Sequence, residues 1–380
     1  MNRVGESDLQ GAATAWDAIV IGAGPAGSFA ARELARRELR TLLVDVKHFP
    51  RPKVCGGCLN RRGIATLQAA GLAQIVDRAE SRPRYFHWHG GPQHGRFELP
   101  ETCVIERDWF DEALADEAVS AGAVFLPAVR ATVLAGGSEG DSRHVRLERR
   151  GAAADAIARV VICADGLARS SLRLLPEFQS IVASRSRIGV GAVVPVSTRS
   201  LAREIQMVVG PYGYVGLAAG GGERLNVAAA IDSDVLGQSS IGEFIERLLQ
   251  SARIQLDIDW SRIAWSGTPP LTSRPARVAG ERLFVIGDAS GYVEPFSGEG
   301  MATALATGLA VAPLAAQAAH EWRSQLADRW SVLHRSIVLD SQSTCRQLAR
   351  ILRQPWSAAA ALWICRTQPW VARRYIRKVC

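Results

Sequence analysis

Apolar positions along the chain fall into short runs separated by polar turns and by stretches of helical periodicity. The first run, Ala18 to Ile21, has the length and β-branched content of a buried strand. An alanine-rich helical pattern follows from Ser28 to Arg37. A second apolar run, Thr41 to Val44, ends in Asp45. This order predicts a strand–helix–strand unit. Two further buried strands are expected at Arg159 to Cys163 and at Leu283 to Ile286, each running into an Asp-bearing glycine turn. The segments Ile188–Val196, Ile205–Val209, Tyr212–Ala219 and Arg224–Ile231 predict an antiparallel sheet. Arg84 to Pro100 reads as a hairpin with its turn near Gly90-Gly91-Pro92. In its first strand Phe86 and Trp88 alternate with His87 and His89, so one face is aromatic and the other carries imidazoles.

Helices are expected over Arg62–Ala79 with a break near Gly71, from Arg107 to Ala121, and over Ile241–Ser251. Val46 to Asn60, with two prolines and two glycines, reads as an ordered loop. Ala123–Leu134 and Val145–Leu147 read as strands around a Gly/Ser-rich turn. Met301 to Ala319 is the longest uncharged stretch. It is rich in Ala, Thr and Gly and holds Pro313, which favours a buried helix over a membrane span.

The chemistry enters at the first turn. Gly22-x-Gly24-x-x-Gly27 sits between strand and helix, and Asp45 closes the second strand. Gly22 permits the tight turn, Gly24 leaves room for a pyrophosphate, and Gly27 allows close packing of helix on strand. The helix N-terminus offers unpaired N–H groups to phosphate, and Asp45 can accept from a ribose hydroxyl. Two later stretches repeat the logic: Val160 to Arg173, with Asp165 and Gly166, and Leu283 to Met301, with Asp288 and a loop from Pro295 through Gly298 to Gly300. In a doubly wound sheet such turns lie where ligands bind.

With these motifs the chain resembles the FAD-dependent oxidoreductases of the p-hydroxybenzoate hydroxylase fold and, within them, the geranylgeranyl reductase family. The likeness runs from about Asp17 to Leu314. Its closest signature is Arg51-Pro-Lys53-Val-Cys55-Gly56-Gly57, with Arg107 at a helix start. The resemblance implies FAD contacts at Gly22, Gly24, Ala26, Gly27, Asp45, Cys55, Gly56, Arg107, Val129, Asp288, Gly300 and Met301. It also implies that Asp165 and Gly166 serve the flavin and nicotinamide phosphates. By their own pattern Pro295 and Gly298 belong to a tight loop leading into the helix from Met301, whose N-terminus could face the flavin ring. The aromatic Tyr-x-Trp-x-Phe-Pro segment common in that family is missing at Gly213–Gly220. The implied fold class is α/β: a Rossmann-type FAD-binding domain (16–85, 101–175 and 275–320), an inserted antiparallel-sheet substrate domain (86–100 and 176–274), a flexible tail (1–15) and C-terminal helices (321–380).

The implied activity is reduction of a carbon–carbon double bond in an apolar, isoprenoid, lipid or polyketide-like substrate. Cys55 is expected near the flavin, and Tyr212 and Tyr214 are candidate proton donors. A flavin monooxygenase is the alternative on the same fold, and a flavin-free lipid-binding relative is a third reading. The chain carries one Gly-x-Gly-x-x-Gly, so NAD(P)H or another electron donor is expected to visit transiently. Cys55 and Cys58 form Cys-x-x-Cys, read either as a redox dithiol, as one thiol assisting at the flavin, or as packing. His87, His89 and His94 crowd one hairpin, but no carboxylate or cysteine completes a metal-ligand spacing, so no metal is expected.

Composition adds bounds. At 48% hydrophobic and 22% charged, the 380 residues are ordinary for a globular chain. Seven scattered cysteines do not form a disulfide framework and fit a reduced, cytoplasmic protein. The net charge of +8 lies wholly after residue 340, where eight Lys/Arg meet no Asp or Glu. No nucleic-acid motif accompanies it. Five of the ten tryptophans (Trp322, Trp330, Trp356, Trp363 and Trp370) lie in this C-terminal region among arginines. They are expected to line a tunnel or core; peripheral contact with a membrane is the other placement.

Overall fold

The strand Ala15–Ile21 is the hub of the first sheet. It pairs in parallel with Thr41–Val44 on one side and with the long strand Ala152–Cys163 on the other. Val124–Leu126 extends the parallel run beyond Thr41–Val44, and Leu283–Val285 extends it beyond Ala152–Cys163. The central residues Ala18, Ile19 and Val20 are fully buried because helices cover one face and the strands Arg130–Val133 and Arg143–Arg149 fold over the other. The computed structural model describes residues 9–79, 81–90, 93–135, 142–197, 201, 203–294, 296 and 298–379.

The helix Pro25–Ala35 packs between this sheet and the helix Glu299–His320. Gly308 makes that approach close: a Cβ there would lie 2.4 Å from the Ala26 carbonyl oxygen. Glu299–His320 is long and apolar enough to cross a membrane, yet its buried residues pack against the core of the first sheet. Pro313 is accommodated inside it.

The second sheet has seven strands in the order 266–270, 188–195, 224–231, 213–219, 204–210, 85–90, 93–98. The expected hairpin and the expected antiparallel segments are therefore one sheet. They meet where Tyr85–Gly90 pairs in parallel with Glu204–Gly210. The helix Ile241–Ser251, started by a capping box between Ser240 and Glu243, covers one face through Phe244, Ile245, Leu248 and Leu249.

Several local expectations are corrected. Leu9–Ala12 is a helical turn with Leu9 and Ala12 buried, and Trp16 Nε1 donates to the Ala12 carbonyl (3.0 Å), so residues 9–15 are not a loose tail. The first helix starts at Pro25, where proline suits the first turn, and not at Ser28. Cys58–Asn60 leaves the loop to pair with Thr102–Val104. Ala123–Leu134 divides into Val124–Leu126 and Arg130–Val133, which join different neighbours. The hairpin turn at Gly91 and Pro92, most of the Gly/Ser-rich turn, and Pro295 lie outside the described residues.

The C-terminal region forms three helices, Gln325–Ile351, Pro355–Thr367 and Pro369–Val379. Its tryptophans divide. Trp330 is fully buried, with Nε1 donating to the Val285 carbonyl (3.2 Å), and Trp322 packs on Phe284. Trp356, Trp363 and Trp370 are 74%, 60% and 60% exposed, which removes them from any tunnel or core.

Candidate active site

A cavity of about 960 Å³ joins the carboxyl ends of the first sheet's strands to the second sheet. That volume lies at the upper end of the roughly 300–1,000 Å³ common for ligand sites. One half is polar and glycine-rich, the other aromatic and aliphatic.

The polar half begins at the first turn. Gly22 has φ +103°, and a Cβ there would lie 2.4 Å from the Ala164 carbonyl oxygen. Gly27 is sealed against the turn itself, since its Cβ would meet the Gly22 carbonyl oxygen at 1.8 Å. It does not line the cavity. Gly24 does, and the nearest described atom to a Cβ there is Arg51 Nη2 at 3.6 Å. Gly24 is also the N-cap of the helix Pro25–Ala35, so the first N–H groups of that helix lack a side-chain cap. Asp45 ties this turn to the second strand: Oδ2 accepts from the Ala23 N–H (2.8 Å) and Oδ1 from the Lys47 N–H (2.8 Å).

Three cations gather beside Gly24. Arg107, at the start of the helix Arg107–Ser120, makes a two-pronged pair with Asp111, Nε to Oδ1 and Nη2 to Oδ2, both 2.9 Å. Arg51 Nη2 reaches the same carboxylate at 3.2 Å and Asp45 at 3.7 Å. Lys53 Nζ lies 3.7 Å from Asp288 Oδ2. Burial, then Arg107, pulls the Lys53 amine below its usual range against the attraction of Asp288. Burial opposes the charge on Arg107 too, but Asp111 and the Cys55 thiol outweigh it and hold Arg107 protonated.

Among the buried polar atoms here, Arg51 Nε and Asp165 Oδ1 have no hydrogen-bond partner among the described residues. The other Asp165 oxygen accepts from the Ser171 N–H (2.8 Å) and the Ser170 hydroxyl (3.3 Å). A bare glycine face, an uncapped helix end, clustered cations and an unused donor and acceptor fit an anionic, hydroxyl-bearing nucleotide.

Residues 15–329 match the sequence profile of a family described as an FAD binding domain. The chain belongs to that FAD binding domain family. Menaquinone reductase of Mycobacterium tuberculosis is 28% identical over 356 residues, 89% of this chain and 84% of that protein. Digeranylgeranylglycerophospholipid reductase 2 of Methanococcoides burtonii is 27% identical over 328 residues, 80% of this chain and 75% of that protein. Two solved structures share the fold. A geranylgeranyl bacteriochlorophyll reductase-like protein of Thermoplasma acidophilum superposes with a TM-score of 0.71 at 20% identity, covering 96% of this chain and 100% of that one. The p-nitrophenol 4-monooxygenase of Pseudomonas putida does so with 0.77 at 14% identity, covering 96% and 98%. The protein is thus an FAD-dependent oxidoreductase with the expected α/β fold.

In this FAD binding domain protein the cavity brings together most of the expected site residues. Gly22, Gly24, Ala26, Asp45, Cys55, Gly56, Arg107, Val129, Asp165, Gly166, Asp288, Gly298, Gly300, Met301 and Tyr214 all line it. Gly27 is a packing residue instead. Pro295 is outside the described residues. Tyr212 is corrected: it sits in the turn before the strand Gly213–Ala219, is 56% exposed and does not line the cavity. Cys55 Sγ accepts from the Gly57 N–H (3.3 Å), while Cys58 Sγ donates to the Gly56 carbonyl (3.5 Å). No disulfide joins Cys55 and Cys58, and their thiols make different hydrogen bonds, which favours separate roles over a preformed disulfide.

Sequence reading passed over Arg51 and Lys53 as individual side chains, and missed Asp111 and Tyr292. Tyr292 lines the cavity, and a Cβ on Gly300 would lie 3.5 Å from its hydroxyl oxygen. Its place inside the Asp288–Gly300 stretch was the available signal. Asp111 had a weaker one, four residues after Arg107 on a helix.

Proposed function

We propose that the protein is an FAD-dependent reductase that saturates carbon–carbon double bonds in an apolar lipid of the isoprenoid or isoprenoid-quinone class. The observation that carries this reading is the second half of the cavity. Phe86, Trp88, Met207, Leu217, Phe296 and Leu348 continue from the polar half without a wall of charge between them. Such a lining rewards burial of apolar surface by about 25 cal/mol per Å². The names of the two curated relatives, one acting on menaquinone and one on a geranylgeranylated phospholipid, support the same substrate class.

Gly24, the first N–H groups of the helix Pro25–Ala35, Arg51, Asp165 and Asp288 would hold FAD. Bound FAD, once reduced by NAD(P)H or another transient donor, supplies a hydride equivalent to a substrate carbon. The chain's own part is to bind, exclude water and deliver a proton. Tyr214 is buried and Tyr292 half-buried, and loss of solvent raises both phenols well above their usual range, so each keeps its proton at Oη at neutral pH. Tyr214 is held by packing on Phe296 (ring centroids 5.6 Å apart) and by Arg187 over its ring. Cys55 lines the cavity beside Arg107 and is held by the Gly57 N–H.

Substrate entry is read from the C-terminal helices. Ile364, Val371, Ala372, Tyr375 and Ile376 line the cavity, while Trp363 and Trp370 on the same helices face outward. Exposed tryptophans among arginines suit the interface of an anionic membrane. This supports a protein on the cytoplasmic side that docks peripherally and draws its substrate from lipid.

The test is an anaerobic single turnover of the reduced holoenzyme with menaquinone and with a geranylgeranylated lipid. Reoxidation of flavin with a product heavier by two hydrogens is expected. A strict need for O₂ with oxygen gained in the product overturns the reductase reading and assigns a monooxygenase.

A further inference from the structure

The face of the second sheet that turns away from the cavity carries a cluster unrelated to flavin. Phe86 and Trp88 line the cavity, so the alternate residues His87 and His89 project to the other side. His94, on the strand Gln93–Glu98, is the cross-strand partner of His89. One ring nitrogen from each of the three lies within 4.8 Å of the others. His87 Nδ1 and His94 Nε2 are 2.8 Å apart. The ring centroids of His89 and His94 are 4.7 Å apart.

The neighbouring strand Glu204–Gly210 adds what linear spacing lacked. Its parallel register sets Gln206 beside His87 and Glu204 beside Tyr85, on the imidazole face. Glu204 Oε1 lies 3.1 Å from His87 Nε2, close but off the hydrogen-bond axis. Gln206 Oε1 lies 2.7 Å from His89 Nε2, and Gln206 Nε2 donates to Glu204 Oε2 at 3.0 Å. Two of the imidazoles therefore have one nitrogen turned to a carboxylate or amide oxygen. That is the arrangement by which metal-ligating histidines are held, the second nitrogen being left for the ion.

We propose that His87, His89 and His94 bind one divalent transition-metal ion of the zinc class, oriented by Glu204 and Gln206. In this assignment Nε2 of His89 stays on Gln206, Nε2 of His87 turns onto Glu204 to donate, and the remaining nitrogens take the metal. Zn–N bonds of about 2.0–2.1 Å in a tetrahedral set require nitrogens about 3.3 Å apart, so His87 and His94 separate by about half an ångström on loading. Three neutral imidazoles and an open fourth position suit Zn²⁺, and Co²⁺ as its coloured substitute. Arg96, cross-strand from His87, and Arg366 add positive charge nearby, which Glu204 offsets. The bound ion ties the edge hairpin to the sheet, behind the aromatic wall formed by Phe86 and Trp88.

The experiment uses tag-free, full-length holoenzyme, stripped with chelator and dialysed. Zn²⁺ is titrated by calorimetry with metal content measured after gel filtration, and Co²⁺ is followed by its visible absorption. One equivalent of Zn²⁺ per chain and a tetrahedral Co²⁺ spectrum are expected. His94→Gln changes an exposed residue and is expected to abolish both while flavin absorbance is unchanged. Glu204→Gln is expected to weaken Zn²⁺ binding by about 10–100-fold. His320→Gln, an exposed histidine outside the cluster, is expected to keep full binding. Absence of retained Zn²⁺, or equal retention by wild type and His94→Gln, overturns the proposal.

Discussion

Arg107 and Asp111, one turn apart on the helix Arg107–Ser120, share two parallel hydrogen bonds of 2.9 Å, and Asp111 is inaccessible to solvent. The carboxylate also receives Arg51 at 3.2 Å, so one buried anion organises two of the three cations that face the nucleotide half of the cavity. Asp111→Ala leaves the buried Arg107 without its carboxylate and Arg51 with only Asp45, at 3.7 Å. Breaking a buried pair from one side costs about 3–5 kcal/mol. Urea unfolding is expected to show a loss of that size together with loss of bound flavin. Unchanged stability removes Asp111 from this role.

Gly24 and Gly27 belong to one motif but should fail differently. Ala at 27 places a methyl 1.8 Å from the Gly22 carbonyl oxygen, so the strand and helix must part. Overpacking of this kind costs about 1–3 kcal/mol or more, and Gly27→Ala is expected to lower the melting temperature of the apoprotein. Gly24→Ala meets only Arg51 at 3.6 Å and should leave apoprotein stability unchanged. It should weaken FAD binding by about 1.5–3 kcal/mol, the worth of hydrogen bonds to a charged group. Calorimetry of the apoprotein and fluorescence titration with FAD separate the two effects. A Gly24→Ala protein that binds FAD like wild type contradicts the assignment.

Tyr292 is the cavity phenol nearest the start of the helix Glu299–His320. Tyr292→Phe is expected to slow the anaerobic single turnover by roughly 10²-fold, the lower range for loss of a general acid, with flavin still bound. Tyr212→Phe, at the exposed turn, should be silent. A wild-type rate in Tyr292→Phe transfers the proton to Tyr214 or to water.

Glu299 is buried at the N-terminus of the helix Glu299–His320, and burial raises its carboxyl from 4.5 to about 7, against the opposing pull of Arg62 at 3.5 Å. The folded chain therefore keeps this proton where the unfolded chain has released it. Stability from this group falls as pH rises from 4.5 to 7, and the deficit, roughly 3 kcal/mol, is fully present above that window. Glu299→Gln should match wild type near pH 4 and exceed it at pH 8. The check is the urea midpoint of both proteins across that range; parallel profiles exclude the carboxyl as the source.

What was legible in the sequence was local. Gly22, Gly24 and Gly27 act within one turn, and Asp45 ends the next strand, so spacing alone identifies them. The strands Thr41–Val44 and Arg224–Ile231 and the helix Ile241–Ser251 follow from apolar runs and a capping residue. The arginine–aspartate knot was not legible, because Arg51 reaches Asp111 from a loop distant in sequence. Tyr212 and Tyr214 share strand parity, which would place them on one face. The strand begins only at Gly213, so the turn carries Tyr212 outward. The tryptophans divide for the same reason: a helical pattern does not say which face has a neighbour. Trp330 met the first sheet, and Trp363 met solvent.

The strand Leu283–Val285 pairs with Val161–Cys163 only after five of the second sheet's seven strands have been threaded between them. During synthesis the edge of Val161–Cys163 therefore emerges bare and waits. The hairpin that begins at Tyr85 likewise waits for Glu204–Gly210. Neither sheet can close before the other is nearly made. A nascent chain stalled before residue 283 presents an apolar, unpaired strand edge, a template for pairing with other chains. For this protein the hazard lies in interrupted translation, before Leu283–Val285 arrives to cover Val161–Cys163.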